Sequence, residues 1–166
     1  MSVTVGPAAP AGVKGASCAT PALEGKPVHV TFDGGRLTPD AGVLVLADIE
    51  RRLRIAERLV RCLTDPRAPE RVHHTLAEMI RFRVLLIAAG YPDANDCDAL
   101  RSDPAFKMAV GRLPESGPNL CSQPTMCRLE NLPTVTALKR MMAAMVASRN
   151  VSSSSASAPL GRRGQA

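Results

Sequence analysis

The sequence predicts a mainly α protein: a bundle of short helices around one buried central helix at about residues 72–89, with one N-terminal β-strand and disordered ends. Three observations carry this. From residue 37 onward, apolar residues recur at three- to four-residue spacing, the period of an amphipathic helix. The periodic segments open on capping residues, at Thr38-Pro39, Asp103-Pro104, Ser122 and Thr134. Only residues 27–32 alternate as a strand does. The expected division is a disordered arm over 1–26, a helical region over 27–149 and a low-complexity tail over 150–166.

The arm is rich in Ala, Gly and Pro without periodicity. In the strand, Val28, Val30 and Phe32 alternate and lead into Asp33-Gly34-Gly35. A lone strand cannot make a sheet, so it needs a partner from a hairpin, another chain or further sequence. Asp33 reads as turn chemistry at the strand exit. Two-ion phosphoryl transfer would need several convergent carboxylates on a rigid frame, and Asp33 has no such companions in the pattern.

In "LTPDAG" Thr38 can cap and Pro39 suits a first helical position. Val43, Leu46, Ile49 and Leu53 then form the inward face, with Glu50, Arg51 and Arg52 toward solvent. A short helix carrying Ile55, Leu59 and Leu63 follows, and the two prolines of "TDPRAPE" mark a loop. The central helix places Val72, Leu76, Met79, Ile80, Leu86 and Ile87 on one face, and its second half is apolar all round. Arg83 falls within that face, so its guanidinium must be paired. Its candidate partners are Asp93, Asp96 and Asp98 in the acidic stretch that follows. Asp103-Pro104 opens a short helix with Phe106 and Val110, stopped by Gly111. Ser122 caps "QPTMCRLEN", and Thr134 caps a last helix with Val135, Leu138, Met142, Met145 and Val146 on one face.

The formal charge is +6 and most of the positive side chains are Arg, which favours anionic partners such as nucleic acid. The competing explanation is a coding bias that enriches Arg, Ala and Gly together. The five cysteines contain no C-x-x-C, and no His lies at ligand spacing from a Cys pair, so no metal or cofactor is expected. "DANDCD" departs from a calcium loop at Cys97 and lacks the closing Glu. On a helix His73 and His74 would lie about 100° apart and both be solvated. The longest apolar run, "VLLIAAG", is far short of the ~20 residues that span a bilayer. A cytoplasmic chain without membrane or small-molecule partners is expected.

The helix "SQPTMCRLEN" turns Met126 and Leu129 inward and Gln123, Arg128 and Asn131 outward. Gln and Asn can pair with adenine and Arg with guanine in a major groove, which makes these three the candidate DNA contacts. The preceding short helix suggests a helix-turn-helix, although the connection from Gly111 to Ser122 is longer than the usual one.

"FDGGRLTPDAG" (32–42), "CLTDPRAPERVHHTL" (62–76), "RFRVLLIAAGYPDANDCDALRSDPAFKMAVGR" (81–112) and "SQPTMCRLEN" (122–131), in this order, resemble the opening third of a bacterial insertion-sequence transposase. The similar family is the thirteen-eighty group of the DDE transposase superfamily, over about residues 27–149. The resemblance implies an intact enzyme whose RNase H-like domain carries three acids that bind a divalent metal such as Mg2+. The first of them would lie in a D-D-T-like strand just after the last helix, where this chain has its Ser-rich tail. No catalytic acid therefore has a matching position here. The expectation is a truncated, non-catalytic N-terminal region that at most binds DNA, at the ends of a related element or non-specifically through Arg-rich surfaces. The alternatives are a fragment that pairs with and inhibits intact transposase, or a decayed product without function.

Overall fold

The computed structural model describes the backbone of residues 2–5, 28–31 and 38–154, and side chains over 38–147. Most of the expected arm, the Asp33 turn and the end of the tail lie outside the described residues. An antiparallel ladder joins β1 (Ser2–Val5) to β2 (Val28–Thr31), with Ser2 opposite Thr31. The remaining described architecture is helical: α1 (Val43–Leu53), α2 (Ile55–Val60), a 3-10 turn at Pro69–Arg71, α3 (Leu76–Ala88), α4 (Asp96–Leu100), α5 (Pro104–Val110), α6 (Gln123–Glu130) and α7 (Val135–Ser154). Among the described residues no helix is long and apolar enough to cross a membrane.

Helix α3 begins at Leu76, later than the periodicity places it. Thr75 stays extended as N-cap, and its hydroxyl accepts from the Glu78 N–H at 3.1 Å. Thr75 and Glu78 form the S/T-x-x-E pattern of a capping box, a start signal that outranks apolar spacing. Phe82, Leu85 and Leu86 of α3 are fully buried against α1, α2 and α5, whereas Ile87 is 54% exposed.

Helix α5 carries the deepest packing. Asp103 caps it by accepting from the Ala105 and Phe106 N–H groups at 2.8 and 3.1 Å, Pro104 occupies its first turn, and Gly111 closes it at φ 100°. Phe106 meets Phe82 edge-on at 5.8 Å and Tyr91 at 6.3 Å between centroids. Lys107 is buried with Nζ donating to the Pro114 carbonyl at 2.8 Å, which pins the loop after α5.

The phase of α1 differs from the sequence reading. Val43, Leu44, Ala47 and Glu50 point inward, and Ile49 is 47% exposed. The reason is the junction with α2. Arg54 adopts the left-handed conformation (φ 54°, ψ 41°), so the chain turns sharply. Glu50 then caps the new helix, its Oε1 accepting from the Ala56 N–H at 2.9 Å. Its Oε2 accepts from Arg81 Nε at 2.8 Å. A non-glycine residue in that conformation is strained. Arg54→Gly is therefore expected to stabilise the fold by about 0.5–1 kcal/mol, read as a higher urea midpoint at unchanged slope. Its ion pair with Glu57 is exposed and contributes little.

Helix α7 starts as expected, with Thr134 Oγ1 accepting from the Ala137 N–H at 3.2 Å. It rests on α2 through Ala137 and Met141. The stripe of Val135, Leu138, Met142, Met145 and Val146 is left facing outward.

Candidate nucleic-acid interface

The loop between α2 and α3 borders the same cleft as α6, and Arg67 holds the loop's shape. Arg67 Nε and Nη2 hold the Asp65 carboxylate at 2.8 and 2.7 Å, while Nη1 donates to the His74 carbonyl at 3.0 Å. The same hydrogen bonds hold the Asp65 carboxyl below its usual range and the Arg67 guanidinium above its own, so the pair stays ionised.

A second arginine holds His74 from the other direction. Arg112, after α5, donates from Nη1 to the Pro118 and Asn119 carbonyls and pairs through Nη2 with Glu78 at 2.5 Å. Nη2 also lies 3.1 Å from His74 Nδ1. Nδ1 also lies 3.4 Å from Glu78 Oε1, so it sits between a guanidinium donor and a carboxylate acceptor. His74 is thus half-buried and held by Arg112 and Glu78, not solvated on a helix, because residues 72–75 lie ahead of α3.

These ties enclose a cleft of about 430 Å³. Its basic wall carries Arg67, Arg71, His73, His74 and Arg128. Its floor is apolar, with Leu76 and Met79 from α3, Leu129 near the end of α6 and Leu132 just after it. Arg71, His73 and Arg128 are exposed. The sequence signal for this wall was present in "DPRAPERVHH", where two arginines and two histidines crowd a loop. Nothing in the sequence aims them at α6.

The three candidate DNA contacts do not share one face. Arg128 lines the basic cleft. Gln123 lines a separate recess of about 490 Å³ with Arg83, Asp93 and Glu130, and its Nε2 contacts Cys127 Sγ at 3.2 Å. Asn131 is exposed, but its Nδ2 donates to the Cys127 carbonyl at 2.8 Å and closes the end of α6. Nor does Ser122 cap α6 through its side chain; Asp98 of α4 accepts from the Gln123 N–H at 3.0 Å.

Arg83 has other partners than expected. Its Nε pairs with Glu130 at 2.7 Å, and its Nη2 donates to the Pro92 carbonyl at 2.7 Å. Asp93 accepts from the Asn95 N–H, Asp98 caps α6, and Asp96 sits in the first turn of α4. The local aspartates are engaged as turn and cap acceptors, and the packing of α6 on α3 brings Glu130 to the guanidinium instead. The tie between α3 and the following loop is real, but a carbonyl makes it.

Burial raises the Cys97 thiol to about 11 and the Cys121 thiol to about 12, so both stay protonated at neutral pH. Among the described residues no group of three or more His, Cys, Asp or Glu side chains converges as a metal site.

A family model described as transposase DDE domain group 1 matches residues 20–159. No curated protein and no solved structure matches the chain. The family match spans every helix described above, and the chain belongs to the transposase DDE domain group 1 family.

Proposed function

We propose that this chain serves DNA transposition as a DNA-binding region that does not itself cut, belonging to the thirteen-eighty group of its superfamily and acting in the cytoplasm. The observation that carries the reading is the basic cleft. A chain of net charge +6 gathers Arg71, His73 and Arg128 at one exposed rim. Such a rim attracts phosphates and releases their counterions, which makes binding steeply salt-dependent. The non-cutting part of the reading draws on seven of the described carboxylates, which are already engaged. Glu50, Glu57, Glu78 and Glu130 are each paired with an arginine, and Asp93, Asp98 and Asp103 accept backbone N–H groups. Acids that hold the divalent metal of the DDE reaction would need to be open to it.

The test is fluorescence anisotropy on a duplex carrying the inverted repeat of a related element and on a scrambled duplex, across several salt concentrations. Arg128→Ala is expected to weaken binding to the repeat about tenfold and to lower the salt slope by about one. Gln123→Ala is expected to change little, since Gln123 lies in the other recess. Binding that is indifferent to Arg128 would remove the cleft from the interface.

A second reading is favoured by the outward stripe of α7. Met142 is 70% exposed and Val146 59%, beside Ile87 at 54%. Together with α2 they border an apolar groove of about 650 Å³. Apolar exposure of this kind marks a protein-binding surface. Here the chain would pair with intact transposase and inhibit it. Co-purification with the intact enzyme in the absence of DNA separates this reading from the first.

A further inference from the structure

The basic cleft is concave and its floor is apolar, and neither property serves phosphate binding. Phosphates are met by rim arginines on an open surface. A paired duplex is convex and presents its bases only through the grooves, so it reaches the rim and leaves the floor uncovered. We infer that the cleft accepts one unpaired nucleobase of a DNA strand, while the rim holds the phosphates beside it. This inference rests on the DNA-binding reading above.

Four features fit that occupant. The volume, about 430 Å³, lies in the lower part of the ~300–1,000 Å³ range of small-ligand sites. Leu76, Met79, Leu129 and Leu132 offer the apolar surface that a base face needs when it leaves the stack. The chain has few aromatic residues and none borders the cleft, so stacking falls to the His73 ring and the Arg71 and Arg128 guanidinium planes, which serve that purpose in single-strand recognition. His74, another lining residue, has its Nδ1 engaged by Arg112 and Glu78, which leaves Nε2 as the ring nitrogen available to a polar atom of a base edge. Because Arg67 and Arg112 both hold His74, the loop side of the cleft is pre-formed. Binding therefore spends little on ordering.

The experiment uses the full chain and three probes: a blunt duplex, the same duplex with a short overhang carrying 2-aminopurine, and the free 2-aminopurine deoxynucleoside monophosphate. The overhang duplex is expected to bind about tenfold tighter than the blunt one, on the order of one stacked base, with a change in emission at the unpaired base. Thr125→Phe, which fills the cleft from α6, is expected to bring overhang affinity down to that of the blunt duplex. Leu132→Gln, which makes the floor polar, is expected to reduce it. Equal affinity for blunt and overhang duplexes would overturn the inference and leave DNA binding standing. Free monophosphate binding as tightly as the overhang would overturn it in favour of a soluble nucleotide. Absence of binding to every DNA probe would overturn the DNA-binding reading itself, and this inference with it.

Discussion

Replacing Glu50 by alanine is expected to cost about 3–5 kcal/mol of folding stability, measured as a loss in urea unfolding free energy. The side chain is 2% exposed and holds two groups that nothing else replaces. One is the Ala56 N–H, an orphan donor at the start of α2. The other is Arg81, which lies 19% exposed between Glu50 and Glu57. Without Glu50 the guanidinium keeps only the more exposed partner, so most of the cost is an under-compensated buried charge and not the lost attraction. Glu50→Gln retains a single carbonyl oxygen and can serve only one of the two donors, so an intermediate loss is expected. Glu57→Ala, at a site 36% exposed, is the contrast and is expected to stay under about 1 kcal/mol. A Glu50→Ala variant within about 1 kcal/mol of the parent would show that the α1–α2 junction does not depend on this carboxylate. Since chains of this size hold roughly 5–15 kcal/mol in total, the expected loss is a large share of the whole.

Phe106→Ala is expected to be about as severe, at about 3–5 kcal/mol. Phe106 is fully buried on α5 and edge-on to both Phe82 and Tyr91. The chain has three Phe and one Tyr, and three of these four rings meet at this point. Phe82 and Tyr91 are packed among other buried residues, and a cavity that they do not close adds to the lost transfer energy. Phe106→Leu keeps most of the volume and is expected to lose about 1–2 kcal/mol, part of it the ring contacts. Equal losses for the two variants would point to the edge-on geometry, not to the cavity, as the source of stability.

The two substitutions also separate what was readable from what was not. Phe106 sits where the pattern places it, in a helix opened by Asp103-Pro104 and closed by Gly111, because caps and stops act through neighbours in the chain. Thr134 is legible for the same reason. Glu50 is misread as solvent-facing because a charged residue at the end of an amphipathic helix ordinarily is. Only the left-handed turn at Arg54 and the arrival of Arg81 make its burial favourable. Arg83 shows the same limit: its need for a partner was visible, but the sequence pointed to neighbouring aspartates and the fold supplied Glu130. For the candidate interface, Arg128 was legible as an outward side chain, yet the spacing that grouped it with Gln123 and Asn131 says nothing of the loop that closes on one side of α6.

By itself the sequence determined the mainly helical class, the starts of α5 and α7 with the stop at Gly111, and the transposase family, because period, caps and family motifs are local properties of the chain. Tertiary structure alone decided which charges are buried, which partner each arginine takes, and that Arg71, His73 and Arg128 share a rim. Those outcomes depend on Coulombic and desolvation energies between groups far apart in sequence, and such energies acquire values only when packing has set the distances.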